Sequence, residues 1–288
     1  MSAPWFWTQD ALQRAVLDSF LGEINALKPG NVHRYAGGHG MRYEDFLISA
    51  QVATPILCDP ALGLGERCFK AIQATANAVG SNTNLGMVLL FAPIICAAQQ
   101  GAGPDTLADQ TGKFIQSTGP ADVAGIFAAI ALANPGGLGQ VPAHDVHSAP
   151  DCTLLEAMSS AADRDWVAHQ FASGFRDIFR VGLPVFRRHF ALSLGVECAT
   201  VCCYLRFLAS FPDSHIQRKH GSQVAQQVSQ RAAAVLAEIE QHKDPGTMTS
   251  LLLGLDREWK DAGINPGTSA DMTAASLLLH HLDVVNRD

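Results

Sequence analysis

The chain has 288 residues, of which 48% are hydrophobic and 16% are charged, and its formal net charge is −7. This composition supplies enough apolar side chains for a sizeable core and argues against intrinsic disorder. The acidic balance, with no basic block longer than Arg218-Lys219, argues against a nucleic-acid or anionic-membrane surface. A polyphosphate ligand would therefore need local cations or a metal ion.

The N-terminal segment MSAPWFWTQD has no basic stretch followed by an apolar one, so it does not predict a signal peptide. The longest apolar run, residues 85–98, is shorter than the ~20 residues that span a bilayer. The cysteines lack the spacing of a disulfide framework and fit reduced thiols, although Cys198, Cys202 and Cys203 leave a metal site open as an alternative. We expect a soluble, cytoplasmic protein without a membrane or nucleic-acid partner, and we leave a homo-oligomer open.

Helical periodicity dominates the chain. The first predicted helix, 9–27, places Leu12, Val16 and Phe20 on one apolar stripe, with Thr8 as its N-terminal cap. Further helices are predicted at 43–57, 66–79, 84–99, 104–117, 121–133, 152–162, 164–180, 184–210, 222–241, 247–261 and 268–285. Strand-like alternation is absent. The sequence therefore predicts an all-α fold: one domain over residues 1–288, a multi-helix bundle with a long irregular loop at 134–151 that forms a lid or wall.

Polar turns rich in glycine and amide side chains stand at the ends of four buried helices. They are LKPGNVHRYAGGH (27–39), VGSNTNLG (79–86), FPDSHIQRKHG (211–221) and NPGTSAD (265–271). A helix N-terminus offers free backbone N–H groups and a positive dipole end, which suit phosphate. If the four turns converge, we expect a nucleotide pocket between the helix ends. For the last turn the alternative is a simple helix start, since Thr268 and Asp271 have the spacing of a capping box.

Two carboxylates stand out. Glu23 falls on the apolar stripe of the first helix, where a buried carboxylate needs a cation or a metal ion; the alternative is an edge position that reaches water. Asp213, followed by Arg218 and Lys219, suits Mg²⁺ held by a carboxylate and phosphate held by cations; the alternative is a solvated charge cluster. Lys28 is a further candidate phosphate contact or an ordinary surface lysine.

A rival set of residues is histidine-based. His144 and Asp145 form a His-Asp pair like that of all-α metal phosphohydrolases, and His33, His39 and His147 could complete its ligands. That pair lies in a loop between prolines, whereas the phosphohydrolases carry it on a helix. Motifs for a P-loop, a dinucleotide fold, a zinc protease and an α/β-hydrolase are all absent from the sequence.

Taken together, the turns resemble the triphosphoribosyl-dephospho-CoA synthase family. The resemblance is carried by Glu23, Lys28-Pro29-Gly30-Asn31-Val32, Gly38-His39, Phe46-Leu47-Ile48-Ser49-Ala50, Asn82-Thr83-Asn84-Leu85-Gly86, Asp213 with Arg218-Lys219, and Pro266-Gly267-Thr268-Ser269-Ala270-Asp271. The family usually reads Asn-Thr-His-Lys-Gly where this chain has Asn84-Leu85 in the middle of the motif, so the chain resembles a divergent branch.

The resemblance implies an all-helical, Mg²⁺-dependent transferase that joins the triphosphoribosyl group of ATP to 3′-dephospho-CoA, or to a related acceptor, and releases adenine. It implies Glu23 and Asp213 as metal ligands or general base, with Asp271 as a third acid. Contacts to sugar or phosphate are then expected from Lys28, Asn31, His33, His39, Asn82, Thr83, Asn84, Arg218, Lys219, Gly267, Thr268 and Ser269. A nucleotide-binding protein without catalysis is the remaining alternative.

Overall fold

The computed structural model describes residues 7–135, 146, 151–192, 195–241 and 245–285. These ranges contain fourteen α-helices and no strand, with two isolated bridges in the loop after the first helix. The predicted all-α fold class is confirmed. The helices are α1 (Gln9–Asn25), α2 (Tyr43–Leu57), α3 (Leu64–Val79), α4 (Leu85–Gln99), α5 (Leu107–Gln116), α6 (Pro120–Ala133), α7 (Leu154–Ala161), α8 (Trp166–Ser173), α9 (Leu183–Ala191), α10 (Gly195–Ser210), α11 (Ser214–His220), α12 (Ser222–Gln241), α13 (Pro245–Asp261) and α14 (Gly267–Val285).

Two long predicted helices are divided in the structure. The predicted helix 164–180 ends as α8, because Gly174 and Phe175 both adopt positive φ, and a π-helical turn at Ile178–Gly182 follows. The predicted helix 184–210 is two helices, α9 and α10, and Gly195 at the start of α10 has a φ of 78°. Apolar periodicity runs through both breaks, so the pattern alone predicted continuous helices.

The core is organised around α4 and α14. Every residue of α4 from Met87 to Ala98 is buried, as expected of a helix that is apolar on all sides. Helix α14 packs against α1, α4 and α10 and joins the two apolar clusters of the core, one around α4 and the other around α10 and α12. Because α4 and α14 are in contact, the polar turns that precede them can contribute to one site.

The cap of α1 and the state of the cysteines answer two of the sequence predictions. The Thr8 side chain caps α1 by accepting a hydrogen bond from the backbone N–H of Ala11. All seven cysteines are free, and the described residues contain no group of three or more His, Cys, Asp or Glu side chains that could hold a metal ion. The alternative of a cysteine metal site therefore gains no support.

Most of the predicted 134–151 loop, including His144, Asp145 and His147, lies outside the described residues. Within the described ranges no single helix is long and apolar enough to cross a membrane. Helices α5 and α6 meet that criterion only as a pair, by length and composition, and they are bent by 98° relative to each other.

Candidate functional site

The four polar turns converge on one cavity of about 400 Å³. The turn after α1 contributes Asn31, and the turn before α4 contributes residues 82–86. Helix α11 contributes His215 and Arg218, and the start of α14 contributes residues that include Asp271. The remaining polar lining includes Asn134, Ser160, Arg164, Asp165, Asn265 and Thr268, and the apolar lining includes Met41, Phe46, Leu85, Met87, Leu89, Phe127, Ile130, Ala157, Met158, Ala161, Val167 and Ala168.

Side chains at the start of α4 hold the turn in place and leave one acceptor open. Asn82 Oδ1 accepts a hydrogen bond from the N–H of Leu85, and the Thr83 hydroxyl lies 2.6 Å from that of Ser49. Asn84 Nδ2 donates to Thr75 Oγ1, whereas Asn84 Oδ1 is buried with no donor among the described residues. A ligand N–H or O–H could satisfy this oxygen, since buried polar atoms in proteins are normally paired.

Asp271 is the carboxylate that lies open in this cavity. It belongs to the early part of α14, and its side chain packs directly against Gly86 in the first turn of α4; a Cβ built at Gly86 would overlap it. No described residue donates a hydrogen bond to it. Burial raises its pKa well above the usual aspartate value, with the charges of Glu23 and Asp213 adding to the effect. Its carboxylate therefore binds a proton more readily than that of an exposed aspartate.

The alternative interpretation of the last turn, a helix start with a capping box, is correct for the helix start but not for the capping box. Helix α14 begins at Gly267, so Thr268 lies inside its first turn, and the Thr268 hydroxyl lies 2.9 Å from that of Ser214. Asp271 faces Gly86 instead of turning back to the helix start. The Thr268–Asp271 spacing met the sequence criterion, but the helix starts too early for Thr268 to be its cap.

Asp213 is fully occupied by hydrogen bonds. Its Oδ1 accepts from the N–H groups of His215 and Ile216 and so caps α11, while its Oδ2 accepts from Ser269 N at 2.7 Å and Ser269 Oγ at 2.8 Å. Burial raises the pKa of Asp213, and the bonds from Ser269 oppose that effect. Asp213 thus ties the start of α11 to the start of α14 and does not line the cavity.

Glu23 and Lys28 form a fully buried ion pair behind the cavity. Lys28 Nζ lies 3.0 Å from Glu23 Oε1 and also donates to the backbone carbonyls of Glu23, Ala26 and Val32. Neither an edge position for Glu23 nor a surface position for Lys28 is correct, since both side chains are 0% exposed. Burial raises the pKa of Glu23 and lowers that of Lys28, and their mutual attraction opposes both shifts. These contacts favour a structural role for the Lys28 ammonium over a phosphate contact.

The loop after α1 is fastened to the start of α14 and to α13. Asn31 Nδ2 donates to Asn265 Oδ1 at 2.8 Å, and both residues line the cavity. Deeper in the loop, His33 Nε2 lies 3.2 Å from Asp256 Oδ1, and Lys260 lies 3.0 Å from the same carboxylate. This buried network positions Asn31 and places His33 outside the cavity lining.

The cationic end of the cavity lies between α7–α8 and α11. Arg218 Nη1 donates to Asp165 Oδ2 at 2.6 Å, and both side chains line the cavity with Arg164. His215 also lines it; burial, followed by the charges of Arg218 and Lys219, lowers its pKa to about 4, so its imidazole is neutral at physiological pH. Lys219 is exposed and contacts only the Gly263 carbonyl, at 3.4 Å, among the described residues.

The structure thus divides the predicted site residues into two groups. Eight line the cavity: Asn31, Asn82, Thr83, Asn84, Arg218, Gly267, Thr268 and Asp271. Seven lie outside its lining: Glu23, Lys28, His33, His39, Asp213, Lys219 and Ser269. Sequence reasoning missed His215, Asn265, Arg164 and Asp165. The first two stand inside quoted turns, whereas nothing in the local sequence distinguishes the other two from surface charges.

The contacts of Glu23 and Asp213 do not fit the predicted Mg²⁺ ligands. Both oxygens of Asp213 carry two hydrogen-bond donors each, and the charge of Glu23 is already balanced by Lys28. Mg²⁺ binds oxygen ligands in a strict octahedral shell and keeps several waters, which needs open carboxylate oxygens and room for water. Apart from the ion pair with Lys28, the Glu23 oxygens have no hydrogen-bond partner among the described residues, but the side chain is 0% exposed and lies outside the cavity lining. We therefore do not assign a resident Mg²⁺ to these two residues.

Comparison with known proteins adds a family and a fold. The family model "CitG: ATP:dephospho-CoA triphosphoribosyl transferase" matches residues 9–288. No match is found among curated proteins. The chain is similar to the crystal structure of a candidate triphosphoribosyl-dephospho-CoA synthase from Archaeoglobus fulgidus, with a TM-score of 0.64 and 23% identity over 82% of this chain and 98% of that chain. At this identity the likeness shows a shared fold.

Proposed function

The chain belongs to the ATP:dephospho-CoA triphosphoribosyl transferase family, and from that premise we propose that it joins the triphosphoribosyl group of ATP to 3′-dephospho-CoA with release of adenine. The observation that carries the mechanism is the open Asp271 carboxylate at the meeting point of α4 and α14. A cavity of about 400 Å³ lies within the size range of small-molecule sites. The free cysteines fit a cytoplasmic setting for this reaction.

In the proposed reaction, the 2′-hydroxyl oxygen of dephospho-CoA forms a bond to C1′ of the ATP ribose as the C1′–N9 bond breaks. The electron pair of the broken bond leaves with adenine. Asp271 takes the hydroxyl proton as general base and can return it to adenine, so the proton balance closes without another reactant. Burial raises its pKa above the usual aspartate value, which makes the ionised carboxylate a stronger base towards the hydroxyl proton.

Other lining residues orient the reactants. Asn84 Oδ1 and the Asn31–Asn265 pair offer polar atoms at the edge of the cavity. The apolar wall, which includes Leu85, Met87 and Phe127, excludes water from the oxocarbenium-like carbon, so that the acceptor hydroxyl reacts in its place.

Mg²⁺ enters this proposal as the counter-ion that arrives with ATP. When bound, it would neutralise phosphate charge; we place no resident Mg²⁺ at Glu23 and Asp213, because the Asp213 oxygens accept two hydrogen bonds each and the charge of the buried Glu23 is balanced by Lys28. Asp271 stays free to act on the proton. Chelation should therefore abolish activity through the substrate and leave the thermal stability of the free protein unchanged.

The decisive experiment is adenine release. Purified protein is incubated with ATP and Mg²⁺, with and without dephospho-CoA, and free adenine is followed by chromatography. We expect adenine only when dephospho-CoA is present, and a ~10²–10⁴-fold lower rate in Asp271→Asn, the usual contribution of a general base. Asp109→Asn, on the exposed face of α5, is the matched control and should keep the wild-type rate.

Two results would contradict the proposal. Adenine release that does not depend on dephospho-CoA would exclude it as the acceptor. ATP binding without any adenine release would favour a nucleotide-binding protein that lacks catalysis. The phosphohydrolase alternative predicts released phosphate instead of adenine, and the family match gives it no support.

A further inference from the structure

Each of the two helix N-termini that meet near the cavity has a carboxylate of the chain itself beside it, hydrogen-bonded at α14 and in contact at α4. Asp213 accepts hydrogen bonds from the backbone N–H and the hydroxyl of Ser269, in the first turn of α14. The Asp271 carboxylate lies against Gly86, in the first turn of α4. A phosphate at either helix end would therefore meet a carboxylate at contact distance, which offsets the attraction of the helix dipole.

Open hydrogen-bond donors are found on the arginines that line the cavity beside α7–α8 and α11. Arg218 uses Nη1 on Asp165, and Arg164 uses Nη1 on the Ser160 carbonyl at 3.1 Å. Their other guanidinium N–H groups have no acceptor among the described residues. Lys219 follows Arg218 in α11 and is exposed just outside the cavity lining. We call Arg164, Arg218 and Lys219 the cationic rim.

We propose that the polyphosphate of the nucleotide binds at the cationic rim and that the helix ends around Gly86 and Ser269 are left without phosphate. This inference rests on the proposed function for the identity of the nucleotide, and it fixes how the nucleotide enters the cavity. The phosphates stay at the α7–α8 and α11 side, while the ribose carbon reaches inward towards Asp271. A guanidinium group with two open N–H donors can bind two phosphate oxygens at once, and such charge-assisted hydrogen bonds are stronger than bonds between neutral groups.

The charges of the cavity agree with this direction. Among the described lining residues, two arginines and two aspartates carry formal charge. Arg164, Arg218 and Asp165 lie together between α8 and α11, whereas Asp271 lies on α14 against α4. A triphosphate placed beside Asp271 would face a carboxylate that makes no ion pair with a described residue, although the charge of Arg218 acts on it. At the rim it would compete only with Asp165 for Arg218.

The test uses inorganic triphosphate as the probe, and its binding is measured by isothermal titration calorimetry without Mg²⁺ or acceptor. We expect Arg218→Gln to weaken binding ~10–100-fold, since a charge-assisted contact is worth about one to two factors of ten. Lys219→Gln, an exposed position that cannot disturb the fold, should weaken it a few-fold. Lys113→Gln, on the exposed face of α5, is the matched control and should bind as the wild type does.

Two aspartate variants separate the rim from the helix ends. Asp165→Asn keeps an oxygen that can cap α8 but frees Arg218, so it should tighten triphosphate binding. Asp271→Asn should change the affinity less than ~3-fold at every pH between about 6 and 9. Phosphate at the α4 end would instead bind ~10-fold or more tightly to the variant at the upper end of that range, where the Asp271 carboxylate of the wild type is ionised most completely.

Strong tightening in Asp271→Asn together with unchanged binding in Arg218→Gln and Lys219→Gln would overturn the inference, and so would a wild-type protein that does not bind triphosphate. The outcome is independent of the reaction. A chain that binds triphosphate at the rim but releases no adenine would keep this inference while the transfer proposal fails.

Discussion

Gly86→Ala tests the position of the Asp271 carboxylate most directly. Gly86 is the second residue of α4, and a Cβ at this position would overlap Cγ and Oδ2 of Asp271 and lie 3.0 Å from its Oδ1. Ordinary contacts begin at 3.4 Å, so the carboxylate must move away from the helix end. Because Asp271 belongs to the buried α14, the movement has to come from rotation of its side chain or from separation of the two helices.

The two effects of this change differ in size. In a helix, alanine is favoured over glycine by about 1 kcal/mol, and the overlap costs about 1–3 kcal/mol, so the free energy of unfolding should fall by at most about 2 kcal/mol. Activity should fall much further, because displacing a catalytic group by about 1 Å costs on the order of 100-fold in rate. The variant should therefore fold and yet release adenine slowly.

Urea unfolding and adenine release, measured on the same preparations, test this expectation. Gly112→Ala is the matched control: it is also a glycine within a helix, α5, but nothing lies within 4 Å of the added Cβ. It should gain stability and keep full activity. If Gly86→Ala kept the wild-type rate of adenine release, Asp271 could not be the base in its observed position, and the mechanism would be refuted.

Three further variants test the buried ionisable groups, each by urea unfolding. Lys28→Met should lower the free energy of unfolding by about 3–5 kcal/mol, because it leaves the buried Glu23 unpaired. Adding Glu23→Gln should restore part of the loss, and a double variant no more stable than Lys28→Met would contradict the ion pair. The pKa of Asp271 is raised in the folded state, so its ionisation destabilises the fold as the pH rises above 3.8. Asp271→Asn should therefore have the free energy of unfolding of the wild type in acid and a higher one at neutral pH. The difference should grow by up to about 1.4 kcal/mol per pH unit. Burial lowers the pKa of His281 to about 4, so this group costs stability as the pH falls from 6.5 towards 4; His281→Gln should flatten that part of the profile, and parallel profiles would exclude a buried neutral imidazole.

The helices were predictable because their apolar periodicity is strong and their ends are marked locally. Thr8 caps α1 as expected, and α2 spans the predicted residues. The failures are positions where tertiary packing sets the backbone. Phe175 adopts a φ of 62° and is 0% exposed, and its ring lies 5.3 Å from that of Phe171. No local signal indicates a left-handed phenylalanine, so the break after α8 could not be predicted.

The site was predictable as a set of turns but less so as a set of roles. Asn82, Arg218 and Asp271 were found because each stands in a conspicuous polar turn between apolar helices, and all three line the cavity. Asp213 stands in such a turn as well, yet both of its carboxylate oxygens already accept hydrogen bonds from the chain. The sequence shows which residues are polar, but whether their donors and acceptors are already paired depends on residues far away in the chain.

The anion sites at the helix ends illustrate this limit most clearly. The sequence predicted that the starts of α14 and α4 attract phosphate; the structure has a carboxylate of the chain at each, hydrogen-bonded at α14 and in contact at α4. The anion at α14 comes from Asp213 in the turn before α11, and the anion at α4 comes from Asp271 in α14 itself. A helix start that resembles a phosphate site in the sequence can thus lie beside a carboxylate from another turn, one that the sequence marks as a catalytic acid. The two roles compete for the same residues, and this competition is why we propose the open guanidinium groups of the cationic rim as the phosphate site.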